Sequence, residues 1–297
     1  MTKCYFRAIM LFAVAMLNQA CTQKSNAQEG EHHLSTVEAP NKDSLAETPN
    51  IEINQTIITE GQEEDYTPTL YPKSFVFTTR LMQTGIFHGD EVPRDVNNRE
   101  WIGLLKSEDD VYSLASVLPI TSSVFDVVLD VEGEKTGIEV SLEGDTNCLF
   151  MVDGTLLNIN PSINAIELPS VIYPGEKQEF SFNGTDYVLS AKGKKTKLDE
   201  TEDEEGVKRV FYSIQKYSLQ LQVKGQKEVI TLLDIKSIEE AEPKILFSGD
   251  LNGDGIIDFL IDTTYNYNMS RPTLYLSGKK GDKVVLTPVA SQTTLGC

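Results

Sequence analysis

The densest chemistry in the chain lies in one short run, Gly249-Asp250-Leu251-Asn252-Gly253-Asp254-Gly255-Ile256-Ile257-Asp258. It contains D-x-N-x-D-G-x-x-D, the opening of a calcium loop. Calcium takes about six to eight oxygens at roughly 2.3–2.6 Å, and alternate side chains along a tight turn supply several of them from one segment. Asp250, Asn252 and Asp254 each offer a side-chain oxygen, Ile256 its backbone carbonyl, and Asp258 an oxygen given directly or through water. Gly255 falls where the chain must turn sharply, at a backbone angle that a Cβ would penalise. An EF-hand would place a bidentate Glu at the twelfth position, but Ile261 stands there. Asp262 is no substitute, because along an extended strand at roughly 3.3 Å per residue it lies about 13 Å from Asp258. The run therefore reads as a strand-loop-strand calcium site, its remaining ligands coming from elsewhere or from water, with a structural role and a Kd of roughly 10⁻⁴ to 10⁻³ M. The competing reading is an Asp/Asn/Gly-rich hairpin turn that binds nothing.

Other reactive residues are sparse. Of four cysteines, Cys4 and Cys21 lie near the start, leaving Cys148 and Cys297 in the body of the chain. In an oxidising compartment two thiols read as a disulfide, which would tie down the last residue. Closing a loop of that length would restrict the unfolded chain by about 4–5 kcal/mol in the entropy treatment. Two free buried thiols are the alternative. His88 is the single histidine of the body and reads as a solvated loop residue rather than a catalytic base, and Trp101, the only tryptophan, reads as core rather than as a sugar platform. No nucleophile elbow, phosphate-binding loop, H-E-x-x-H or C-x-x-C unit is present, and the two S-x-x-K matches at Ser213 and Ser277 lack companion motifs.

These residues need a scaffold, and its spacing is two. Ile138, Val140 and Leu142 alternate with Glu139 and Ser141; Leu219, Leu221 and Val223 alternate with Ser218, Gln220 and Gln222. Further short β-branched and aromatic runs lie at 75–79, 124–131, 148–152, 179–182, 187–191, 210–214, 229–235, 244–247, 256–261, 273–276 and 284–289, separated by turn signals such as Asn183-Gly184 and Pro174-Gly175. The pattern predicts an all-β, antiparallel sandwich or barrel-like body, with a boundary between two β lobes, 66–172 and 173–297. Ser237–Ala241 is the one stretch with a helical expectation. Lys192, Lys194, Lys195 and Lys197, followed by the acidic block from Asp199 to Glu205, read as a solvated excursion between two strands.

The loop at 250–258 resembles the calcium loops of FG-GAP and related repeats in bacterial surface proteins, where such a segment joins two strands. Together with Tyr265-Asn266-Tyr267-Asn268, Pro272–Ser277 and Gly296-Cys297, it is similar to the ends of bacterial lipoproteins and secreted proteins. The resemblance covers about fifty residues and implies metal binding by the matching residues. No unit repeats at a fixed period, so the propeller architecture and adhesive role of those repeats are not carried over.

The first residues read as an address. Lys3 and Arg7 precede an apolar run from Ala8 to Leu17, then Ala20-Cys21, which is the plan of a secretory signal. Ten apolar residues rise about 15 Å as a helix, half of a bilayer core. Leu17, Ala20 and Cys21 resemble a bacterial lipobox, which implies cleavage before Cys21 and lipid attachment to its thiol, with residues 1–20 removed; Asn18 and Gln19 depart from that pattern. Simple secretion with cleavage after Ala27 is the competing reading. Residues 21–65 then read as a disordered acidic tether, since 22–65 carries ten acidic residues against two lysines and no aromatic residue. His32 and His33 lie within it and lack further metal ligands. A net charge of −19 supplies no basic excess to displace counterions from phosphates, which excludes nucleic acid as a partner. The whole predicts an exported, membrane-anchored lipoprotein, periplasmic or at the cell surface, whose β domain serves as a binding or structural module; a glycan-directed envelope hydrolase is the alternative.

Overall fold

The structure, a computed structural model, describes residues 77–297 apart from 145–146, 203–205, 207, 239 and 297. The signal, Cys21, the tether and Cys297 lie outside the described residues. The chain passes through β1 (Thr79–Met82), β2 (Gly85–Phe87), a 3₁₀ turn at Val96–Asn98, β3 (Trp101–Lys106), β4 (Tyr112–Val117), β5 (Pro119–Val124), β6 (Gly137–Leu142), β7 (Cys148–Asp153) and β8 (Asn160–Ile163). It continues through β9 (Lys177–Phe182), β10 (Thr185–Glu202), β11 (Lys208–Val223) and β12 (Val229–Ile238). Last come β13 (Lys244–Gly249), β14 (Asp258–Asp262), β15 (Met269–Ser270), β16 (Pro272–Lys280), β17 (Lys283–Ser291) and β18 (Thr294–Leu295). The body is all β, as its alternation requires. Among the described residues no helix is long and apolar enough to cross a membrane.

A nine-stranded sheet, in the order β13-β14-β16-β17-β1-β7-β3-β4-β8, forms the frame. It curls until its two end strands meet: Ala165, just past β8, bridges Gly249 of β13. Ile166 N–H donates to the Ser248 carbonyl and Asp250 N–H to the Asn164 carbonyl, at 3.0 and 2.9 Å. Inside the curl lie Leu104, Leu114, Phe150, Val152, Leu260 and Leu274, all within 1 % exposure, and each such buried side chain contributes roughly 1.5–3 kcal/mol of transfer free energy. The frame is antiparallel except at β1–β17, which is parallel and pairs Thr79 with Ala290. Strands from both sides of the expected 172/173 boundary thus share one sheet.

β9 to β12 form a separate four-stranded sheet, in the order β12-β11-β10-β9, inserted between β8 and β13. Tyr187, Leu189, Tyr217, Leu219 and Leu221 pack from it onto Phe259, Ile261 and Tyr275 on the outer face of the frame. β14 is therefore covered on both faces, which is why Phe259, Leu260 and Ile261 are continuously apolar and unexposed. β11 keeps one wet face and alternates. A third sheet, β2-β6-β5, packs Val140 of β6 with Met82, Val96, Trp101 and Met151. Trp101 is completely buried and donates its indole N–H to the Val96 carbonyl at 2.8 Å, which makes it core.

Three expectations need correction. The helix at Ser237–Ala241 is absent, because β12 runs to Ile238 and Glu240 takes a positive φ of 48° that ends the strand. The lysine-rich run and the following acids to Glu202 are no excursion but the β10–β11 hairpin itself, with Glu200 facing Lys197 and Lys208. Lys195 Nζ lies over the rings of Tyr173 and Tyr212, so its charge is held against aromatic faces. Finally, the apolar run 124–131 leaves the ladder after Val124. Asp126 accepts the N–H groups of Val128 and Leu129, and Asp130 those of Asp126 and Thr136. Carboxylates that capture local backbone donors compete with sheet pairing, and here they win.

Candidate functional site

The acidic loop joins β13 to β14, so both flanks are strands. Each polar side chain of the loop organises a turn. Asp250 accepts Gly253 N–H on Oδ1 at 2.8 Å and Gly255 N–H on Oδ2 at 2.9 Å. Asn252 accepts Asp254 N–H at 3.0 Å, and Asp254 accepts Ile256 N–H at 2.8 Å. Gly255 takes a φ of 80°, in keeping with the glycine expected there, and Gly253, for which the sequence raised no such expectation, takes 78°. Ile257 is unexposed and anchors the loop in the core between the sheets.

Asp258 plays a different part. Its side chain is completely buried, and it takes four hydrogens: Leu251 N–H (2.6 Å) and Asn252 N–H (3.2 Å) on Oδ2, Ser277 N–H and Ser277 Oγ–H (both 2.6 Å) on Oδ1. Burial nevertheless pushes its pKa up to about 6, because hydrogen bonds offset only part of the cost of an ionised carboxylate in an apolar setting. The five residues named from sequence thus fall into two groups. Asp250, Asn252 and Asp254 present oxygens at the half-buried to exposed loop surface, while Asp258 faces inward and staples the loop to β16. Ile256 N–H bonds within the loop.

Two contributors escaped sequence reasoning. Ser277 on β16 brings Asp254 and Asp258 together: its Oγ lies 2.6 Å from Asp258 Oδ1 and 3.1 and 3.3 Å from the two oxygens of Asp254. A hydroxyl has one hydrogen, so it satisfies one carboxylate and leaves the other facing an oxygen. Among the described residues no Lys, Arg or His forms an ion pair with Asp250, Asp254 or Asp258. The donor set is oxygen throughout, which suits a hard divalent cation. It is small, however: among the described residues no three His, Cys, Asp or Glu side chains converge as a metal cluster. Carbonyls and water would complete the coordination. Asn183, at the β9–β10 turn, donates from Nδ2 to the Gly255 carbonyl at 3.1 Å and so braces the loop from the inserted sheet. Asn183-Gly184 was legible as a turn, with both residues at positive φ, but nothing local linked it to a loop seventy residues on.

Cys148 is buried, a free thiol in the structure, and hydrogen-bonds the Phe150 carbonyl at 3.2 Å. Burial raises its pKa to about 11, which makes it a poor nucleophile. The expected pairing with Cys297 falls outside the described residues.

His88 departs from its reading as a solvated residue. Its Nδ1 lies 2.5 Å from Asp126 Oδ2, and Asp126 is 4 % exposed. The hydrogen bond to Asp126 raises the histidine pKa and lowers that of Asp126; Glu91 and Asp90 push the histidine the same way. A histidine raised in the folded state stabilises below its unfolded pKa, ordinarily 6.5, and loses that contribution as pH climbs through the folded value. The lowered Asp126, ordinarily 3.8, contributes above that pH and fails as pH falls through its folded value. His88→Asn should therefore lower the melting temperature most near pH 5 and progressively less toward pH 8.5. A difference that stays flat across that range would show that the pair contributes nothing through charge.

Comparison with known proteins finds no matching family model, no matching curated protein and no matching solved structure.

Proposed function

We propose that the protein is an extracytoplasmic lipoprotein, held to a membrane through lipid on Cys21, whose all-β domain acts as a binding or structural module and carries a calcium ion in a structural role at 250–258. The observation that supports the metal is the Ser277 hydroxyl, which meets two carboxylates with one hydrogen. Asp250, Asn252 and Asp254 would hold the cation with the Ile256 carbonyl, and Asp258 would position the loop from behind. The ion would supply positive charge, neutralising clustered carboxylates so that the loop packs against β16. The leader at 1–20 and the acidic tether at 21–65 support export and anchoring by their composition.

Thermal melts of the full-length protein test the reading. With a Kd of about 10⁻⁴–10⁻³ M, calcium at about 10 mM adds roughly 1.5–2.5 kcal/mol by mass action. The melting temperature should rise by roughly 3–10 °C, and Asp254→Ala should abolish that rise while lowering the calcium-free melt only slightly, since Asp254 is exposed and water can replace it as acceptor for the Ile256 N–H. A melting temperature indifferent to calcium removes the metal. Metabolic labelling with a radioactive fatty acid tests the anchor, and Cys21→Ser should eliminate incorporation.

A further inference from the structure

A cavity of about 690 Å³ opens between β2, the loop that follows β5, and the small β15–β18 ribbon. Three features of it are unusual together. Its walls carry apolar side chains left in solvent: Ile86 is 65 % exposed, Val127 85 %, Leu295 54 % and Phe125 46 %. The same loop carries two further exposed apolar side chains beyond the cavity lining, Leu129 and Val131, at 61 % and 66 %. An exposed apolar patch of this kind on a soluble domain marks an interaction surface. It is also rigidly displayed, because Asp126 and Asp130 hold the loop's backbone.

The second feature is charge. Among the described residues no Lys or Arg lines the cavity, whereas Glu91 and Asp126 do. Asp90 joins them in acting on His88, the one basic group there. With His88 protonated, three carboxylates still outnumber it, so the site repels anions, including an anionic lipid surface, and attracts cations. The third is an open sheet edge. β2 is the end strand of its sheet, paired with β6 alone through Gly85–Phe87, and its Ile86 and Phe87 line the cavity. An end strand flanked by apolar side chains is the arrangement to which an extended peptide adds by backbone pairing.

We infer that this groove binds an extended segment of a partner protein in which apolar residues alternate with lysine or arginine, laid along β2, with its apolar side chains on Phe125, Val127 and Leu295 and its cations toward Asp90 and Glu91. The period of two in such a segment sends alternate side chains to opposite faces, which separates the apolar contact from the charged one.

Fluorescence anisotropy on the full-length protein at physiological ionic strength tests this, using a labelled peptide of alternating lysine and valine about eight residues long. Saturable binding is expected. It should weaken roughly tenfold in the double variant Val127→Ser/Leu295→Ser, whose positions are too exposed to matter to the core, and about as much for the same peptide N-methylated at alternate amides, which cannot pair with an edge. A peptide with glutamate in place of lysine should not bind. Absence of binding, equal affinity for the double variant, or equal affinity for the N-methylated peptide overturns the inference; the last two would indicate adsorption by net charge. Sedimentation of the protein with phosphatidylcholine vesicles, equally reduced by Val127→Ser/Leu295→Ser, would assign the patch to lipid and overturn it as well.

Discussion

Asp258→Ala is expected to be the most damaging single change at the acidic loop, costing about 3–5 kcal/mol of stability. Removing the carboxylate leaves the N–H groups of Leu251, Asn252 and Ser277 without the acceptor they now use, and each orphaned buried donor costs roughly 1–3 kcal/mol, partly recovered if water enters the space. The loss is larger than the burial penalty on the ionised carboxylate that the substitution relieves. Urea denaturation at pH 7 without calcium reads the effect as a fall in the unfolding midpoint. Asp254→Ala in the same conditions should shift it little. A small effect for Asp258→Ala would mean that the loop is not stapled to β16 by this residue, and the separation of the site into outward ligands and an inward staple would fail.

Trp101→Ala should cost a comparable amount, about 3–5 kcal/mol, through a different mechanism: a cavity among Met82, Val96, Val140 and Met151 together with the loss of the indole hydrogen bond. Trp101→Phe keeps most of the volume and should cost roughly 1–2 kcal/mol. Both are read by denaturant titration, with the slope of the transition unchanged. If Trp101→Ala were nearly neutral, the three-stranded sheet would not be integral to the fold. A separate early transition for that sheet would show that it unfolds on its own.

Strands with clear alternation and turns with clear turn chemistry were legible from the sequence. Alternation at Ile138–Leu142 and Leu219–Val223 identified β6 and β11, and Asn183-Gly184 identified the β9–β10 turn, because strand and turn chemistry act between neighbours. The loop at 250–258 was legible for the same reason. Relations between distant segments were not. No residue of β1 signals that its partners are β7 and the parallel β17, and no residue near Asp254 signals Ser277. The run 124–131 misled because its composition suits a strand while Asp126 and Asp130 redirect its backbone; their spacing of four was visible but not their choice of partners. The block from Lys192 misled in the opposite direction, since the β10–β11 backbone ladder, with a cross-strand pair between Glu200 and Lys208, carries a highly charged ribbon out into solvent. His88 and Asp126, 38 residues apart, share no local signature at all.

The parallel seam between Thr79 and Ala290 sets when folding can finish. The first strand of the frame, already paired with β7, finds its second neighbour only in β17, the last long strand, so the curl stays open until nearly the whole polypeptide has been synthesised. Long-range closure of this kind is slow, and until it happens the facing edges of β1 and β17 stand unpaired, open to pairing with another chain.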